Sequence, residues 1–140
     1  MKEFFLFLHV VLATFWVGGM IFLSLVVVPY LKNKPEIRNE AFQEVGKRFS
    51  LYGTFVSLFL LLITGLVNTY LLHGGFRRSI YEKLFLFFIV VAISLAHDLW
   101  AGKKALYSEY HRKWAKWLGI ANLIISLMLV YMGVRIRLGL

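Results

Sequence analysis

Four histidines are the residues of this chain best suited to bind a metal or a cofactor. The chain has no cysteine, which excludes thiolate metal sites, iron–sulfur clusters, disulfides and thiol catalysis. His9 lies in an apolar run from Leu6 to Tyr30 that contains no other acidic or basic side chain. Such a group costs roughly 2.5–3.5 kcal/mol or more in a membrane unless it faces a protein interior and finds a partner. His9 is therefore the first candidate ligand.

Position along the apolar runs places the other candidates at two levels. His97, next to Asp98, lies about 20 Å from His9 along the membrane normal, too far for both to bind one iron. His73 lies in a glycine-containing turn and His111 in a charged loop, so each is either a second ligand or a surface residue. The remaining candidate cofactor-binding residues are Trp16, Arg48, Asn68 and Lys83. The same depth argument places Asn68, Lys83 and also Arg135 near the level of His9, and Arg48 and His111 near the level of His97. Trp16 lies on the same face of the first helix as His9.

Four apolar segments must position these side chains. Each is long enough to cross a hydrocarbon core, and they predict helices at about 4–31, 51–72, 80–101 and 114–134. An amphipathic pattern at about 36–45 predicts a short interfacial helix along the membrane surface. The short connections favour a single domain over residues 1–140, an all-α integral membrane protein built as an antiparallel four-helix bundle.

The basic residues indicate lipid contact and orientation. The net charge is +9, but the lysines and arginines lie in short loops beside apolar runs, which favours membrane lipids over nucleic acid as partners. The loops after the first and third helices carry ten of these residues, and the termini and middle turn carry six. The positive-inside rule then predicts a multi-pass protein of the inner (cytoplasmic) membrane, with both termini outside the cytoplasm.

Three stretches also carry a family resemblance: HVVLATFWVGGMIFLSLVVVP, GKRFSLYGTFVSLFLLLITGLVN and YEKLFLFFIVVAISLAHD. They resemble the copper-resistance D (CopD) membrane domain and, more distantly, the HemJ-type protoporphyrinogen oxidases. The first family implies copper uptake across the inner membrane, and the second implies a b-type haem held by histidine together with oxidation of a tetrapyrrole. The chain departs from the copper importers because it has fewer helices and only four scattered methionines.

Three functions remain open at this point. The first is a haem b protein with a redox or electron-transfer role, with one or two haems on the histidines of the bundle core. Such a protein would be a membrane haem oxidoreductase if it also turned over a substrate, and a quinol or another redox partner would then be expected. The second is a copper carrier in which His9, His97 and Met20 bind Cu(I) in succession. The third is a non-catalytic assembly subunit, whose partner would be another membrane protein or a second copy of the chain.

Overall fold

The protein is an all-α four-helix bundle in the computed structural model, which describes residues 1–105 and 107–140. The helices are α1 (Lys2–Lys32), α2 (Pro35–His73), α3 (Arg78–Lys104) and α4 (Glu109–Arg137). Each is long and apolar enough to cross a membrane. The fold class predicted from the sequence is confirmed, and the protein is a multi-pass integral membrane protein.

The helices extend beyond the apolar segments because polar residues at their ends are also helical. The amphipathic residues 36–45 are helical, but they belong to α2, which runs from Pro35 into the membrane segment without a break. Gly74 ends α2 with a φ of 66°, a left-handed conformation that costs glycine little. At the start of α4, the Ser108 hydroxyl accepts a hydrogen bond from the backbone N–H of His111.

Three of the helices contain π-helical segments: Leu23–Val27 in α1, Phe49–Val56 in α2 and His97–Ala101 in α3. A π-helix has a wider turn than an α-helix, with i→i+5 hydrogen bonds. Side chains that follow such a segment are therefore rotated around the helix axis relative to an uninterrupted α-helix.

The bundle consists of two helical hairpins held together by α1 and α4. Helix α1 packs along the second half of α2, α3 packs along α4, and α1 contacts α4 between the hairpins. Among the described residues, α2 and α3 make few contacts with each other. The buried core between the helices consists of Trp16, Val17, Leu58, Leu61, Val90 and Leu129.

The outer surface is apolar and the interior is partly polar, as expected for a bundle surrounded by lipid. Phe7 and Phe85 are 66% and 67% exposed. Ser94, Asn122 and Ser126 are buried and hydrogen-bonded around the α3–α4 contact, where Asn122 Nδ2 donates to Ser94 Oγ at 3.0 Å. Polar side chains therefore mark the faces that meet inside the bundle.

Two adjacent glycines in α1 give a matched test of the α1–α2 contact. A Cβ at Gly19 would lie 2.5 Å from Cε2 of Phe49, and one at Gly53 would lie 2.6 Å from the same ring atom, so the Phe49 ring would have to shift to admit either methyl group. A Cβ at Gly18 would meet nothing within 4 Å. We expect Gly19→Ala to destabilise the protein by about 1–3 kcal/mol through overpacking. Melting temperatures in detergent should fall for Gly19→Ala and stay unchanged for Gly18→Ala, and equal values would contradict this contact.

The orientation is testable because the chain has no native cysteine. Leu140 at the C-terminus and Tyr107 between α3 and α4 are 70% and 86% exposed. With both termini outside, a membrane-impermeant maleimide added to intact cells should label Leu140→Cys and not Tyr107→Cys. The reverse pattern would show that the protein is inverted, and labelling after lysis controls for reactivity.

Candidate functional site

A cavity of about 740 Å³ lies at the end of the bundle that carries both termini and the α2–α3 turn. All four helices contribute to its wall. Its volume lies within the roughly 300–1,000 Å³ range of small-molecule sites. The sequence-selected residues that line it are His9, Trp16, Asn68, His73 and Lys83. Five candidates from three helices therefore line one cavity.

His9 is oriented by a hydrogen bond to α2. Its Nδ1 lies 2.7 Å from Oγ1 of Thr64, and the same hydroxyl lies 2.8 Å from the carbonyl oxygen of Leu60. A carbonyl oxygen can only accept, so the Thr64 hydroxyl donates its proton to Leu60 and accepts from His9 Nδ1–H. In the neutral imidazole, Nε2 then carries the lone pair. Because His9 lines the cavity, this tautomer is the one that a metal or an iron cofactor bound there requires.

Two further residues of the cavity have buried polar atoms without a hydrogen-bond partner in residues 1–105 and 107–140. The Asn68 amide nitrogen donates to the Phe5 carbonyl oxygen at 3.3 Å and ties α2 to α1, but Oδ1 of Asn68 is buried without a partner. Trp16 is 3% exposed, and its Nε1–H is also buried without a partner. An unpaired buried polar group costs about 1–3 kcal/mol. Both residues line the cavity, where a bound ligand or water would supply the partner.

Basic residues dominate the charge of the cavity. Lys83 and Arg137 line it, and its wall contains no aspartate or glutamate among the residues that the structure describes. Lys83 is half-buried and forms no salt bridge within residues 1–105 and 107–140. Gly133 of α4 faces it closely, since a Cβ there would lie 3.0 Å from Nζ of Lys83. The cavity therefore attracts anions and repels cations.

A second polar network lies toward the opposite end of the bundle and joins α2 to α3. Asp98 accepts a hydrogen bond from His97 Nδ1 at 2.7 Å through Oδ1, and from the Ser50 hydroxyl at 2.8 Å through Oδ2. Nε2 of His97 points toward Gly119 of α4, where a Cβ would lie 3.8 Å away. None of these residues lines the cavity at His9. The two histidines thus belong to separate sites, with the buried core between them.

The structure brings neither Arg48 nor His111 into the cavity. Arg48 is paired with Glu44 of its own helix at 2.8 Å, and its side chain is 75% exposed. The His111 ring packs edge-on against Trp100, with 5.1 Å between ring centroids, and its Nδ1 is buried without a partner. In the part of the chain that the structure describes, no three His, Cys, Asp or Glu side chains converge to hold a metal ion.

Sequence reasoning missed Thr64, Ser50 and Arg137. Thr64 could have been identified from the sequence, because it is a polar residue in an apolar helix. It lies four positions before Asn68 and therefore on the same face of the helix. Arg135 was considered for this level, but it is Arg137 that lines the cavity. That choice depends on the rotation of α4 about its axis near residue 137, where arginines alternate with apolar residues and show no helical pattern.

One relative covers almost the whole chain. A protein of Aquifex aeolicus (strain VF5), described as uncharacterized, is 83% identical over 139 residues, which are 99% of this chain and 97% of that protein. The chain belongs to that protein's family. The match takes in all four helices, so the whole bundle is common to this chain and the Aquifex relative. No family model and no solved structure matches the chain, and the resemblance to CopD and HemJ-type proteins stays a hypothesis.

Proposed function

We propose that this protein binds b-type haem in the cavity, with His9 as an axial ligand, and that it has a redox role in the membrane. The hydrogen bond that orients the His9 imidazole supports the proposal most directly. Its Nδ1–H is fixed by Thr64, at 2.7 Å, and its Nε2 lone pair remains for a ligand in a predominantly apolar cavity. Histidine imidazole is a common haem ligand, and a hydrogen bond from the second ring nitrogen fixes the tautomer and orientation that ligation needs.

The residues of the cavity fit a porphyrin. Apolar side chains such as Leu61, Phe87 and Leu129 suit the macrocycle, and Trp16 adds an aromatic wall. His73 lines the same cavity and is the candidate for a second ligand. Bound there, haem would supply one-electron chemistry. The chain's own contribution is to hold the iron through His9, to keep the imidazole in one tautomer and to exclude water with lipid-facing helices.

Copper transport, which the CopD resemblance implies, has less support at this site. Cu(I) prefers thiolate and thioether ligands, but none of the described methionines lines the cavity and the chain has no cysteine. Met20 lies in the interior, with its sulfur 3.9 Å from Nδ2 of Asn122. Lys83 and Arg137 would also repel a cation at His9.

A second haem at His97 is the remaining part of the sequence-based hypothesis. Asp98 orients the His97 imidazole as a carboxylate orients a metal-binding histidine, which favours a ligand role. The cavity does not extend to His97. We therefore propose one haem at His9 and keep His97 as a candidate for the opposite level. If the termini lie outside the inner (cytoplasmic) membrane, the His9 cavity lies on the extracytoplasmic side.

An absorption spectrum of the purified protein tests the proposal against its alternatives. We expect a Soret band, a reduced-minus-oxidised difference spectrum of b type and about one haem per chain. A colourless protein that retains copper would favour the copper carrier. A protein that binds neither haem nor copper would favour an assembly subunit with structural histidines, which predicts normal folding and no cofactor spectrum.

A further inference from the structure

We infer that Lys83 and Arg137 form a carboxylate-binding site at the terminal end of the cavity, so that its amphiphilic ligand enters with its acidic groups toward the chain termini. This inference rests on the proposed function insofar as the ligand is a porphyrin dicarboxylate. The expected ligands are amphiphilic acids, and neutral or cationic ligands should bind less tightly.

Lys83 is a cation without a salt-bridge partner in residues 1–105 and 107–140. It is half-buried in a membrane helix, where an unpaired ammonium is costly. The neighbouring Glu82 is paired with Arg78 on the exposed surface at 3.1 Å. Within the described part of the chain, no acidic residue lines the cavity. A carboxylate from a bound ligand would supply the missing charge through a charge-assisted hydrogen bond.

Gly133 leaves space for this ammonium. A Cβ at Gly133 would lie 3.0 Å from Nζ of Lys83, closer than an ordinary contact. Arg137 follows Gly133 by four residues and therefore lies on the same face of α4, one turn nearer the end of the chain. It also lines the cavity. The two cations come from α3 and α4, and a guanidinium can bind a carboxylate through two parallel hydrogen bonds.

The polar groups that line the cavity differ in the ligand groups that they attract. His9 presents a lone pair, and the unpaired Asn68 Oδ1 can only accept a hydrogen bond. These groups repel a carboxylate, whereas Lys83 and Arg137 attract it. A ligand with an apolar body and acidic groups at one edge therefore has one favoured orientation. A neutral quinol would leave Lys83 without a counter-charge, and Cu(I) would be repelled.

The test compares haem b with its dimethyl ester, which has the same ring and iron but no carboxylates. Both are titrated into the full-length protein in neutral detergent. We expect the diacid to bind about tenfold or more tightly than the diester, because hydrogen bonds to charged groups are strong. Lys83→Met and Arg137→Met should each weaken diacid binding by about that factor and leave diester binding unchanged. Lys83→Arg should retain most of the preference.

Matched controls separate this site from general surface charge. Arg78→Met and Arg135→Met remove a cation at the same end of the bundle without touching the cavity wall, so neither should change the preference. Equal binding of diacid and diester by the native protein would overturn the inference while leaving haem binding intact. If neither porphyrin binds, the proposed function fails. The site formed by Lys83 and Arg137 is then tested with phosphatidylglycerol, whose retention by the protein is measured by native mass spectrometry. Loss of the lipid from Lys83→Met but not from Arg78→Met would assign the site to a lipid headgroup. Equal retention of the lipid by both variants would overturn the inference of an anion site.

Discussion

Replacing His9 by alanine should remove the haem from the purified protein, with a fall in the haem-to-protein ratio of more than about tenfold, since even residues that only support a metal ligand contribute about 10–100-fold to affinity. The fold should survive this change. Thr64 would still donate its proton to the Leu60 carbonyl oxygen, at 2.8 Å, so the substitution leaves no buried donor unpaired. The measurements are the Soret absorbance per protein and the melting temperature.

Two other histidines give the controls for this result. His111 packs against Trp100, outside the cavity, so His111→Ala should keep the full haem content. His97→Ala distinguishes one haem from two: unchanged haem supports a single site at His9, and a loss of about half indicates a second haem at the opposite level. Full haem retention by His9→Ala would refute the assignment of the ligand.

Thr64→Val should weaken haem binding about 10–100-fold, although Thr64 does not contact the iron in the proposed arrangement. Valine has nearly the same shape as threonine but cannot accept a hydrogen bond. His9 Nδ1–H would then be buried without its partner, at a cost of about 1–3 kcal/mol. The imidazole can escape that cost by changing its tautomer, which removes the lone pair from Nε2.

Thr69→Val is the matched control for this change. Thr69 is on the same helix, is 5% exposed and lines the same cavity, but its hydroxyl donates to the carbonyl oxygen of Gly65 at 2.9 Å. Both substitutions therefore remove a buried hydroxyl, and only one removes the support of His9. Haem titrations and redox midpoint potentials should separate Thr64→Val from Thr69→Val. Identical values for the two variants would show that the His9–Thr64 contact has no role in ligation.

The four membrane helices could be predicted because length and apolar character alone require them. Depth along antiparallel helices also brought His9, Asn68 and Lys83 to one level, and the structure places all three at one cavity. The depth of a residue in the membrane can be predicted reliably because the rise per residue along a helix is nearly constant. It needs no knowledge of which faces meet.

Rotation about the helix axes could not be predicted in the same way. Arg48 and His111 were placed by depth near the level of His97, but depth alone did not predict that Arg48 pairs with exposed Glu44 or that the His111 ring packs against Trp100. The π-helical segment Phe49–Val56 directly follows Arg48, and such a segment changes the angular relation between the residues before and after it. The apolar pattern carries little information there, because both the lipid-facing and interior faces are hydrophobic.

Rescue of a His9→Gly variant by free imidazole tests ligation by His9 most directly. Gly65 already leaves room at this position, since a Cβ there would lie 3.3 Å from Cε1 of His9, and glycine at position 9 would open a pocket for a free imidazole. We predict that His9→Gly lacks the b-type Soret band, and that imidazole restores it in His9→Gly while leaving the native spectrum unchanged. A native b-type spectrum in His9→Gly without imidazole, or no recovery when imidazole is added, would contradict the assignment of His9 as the haem ligand.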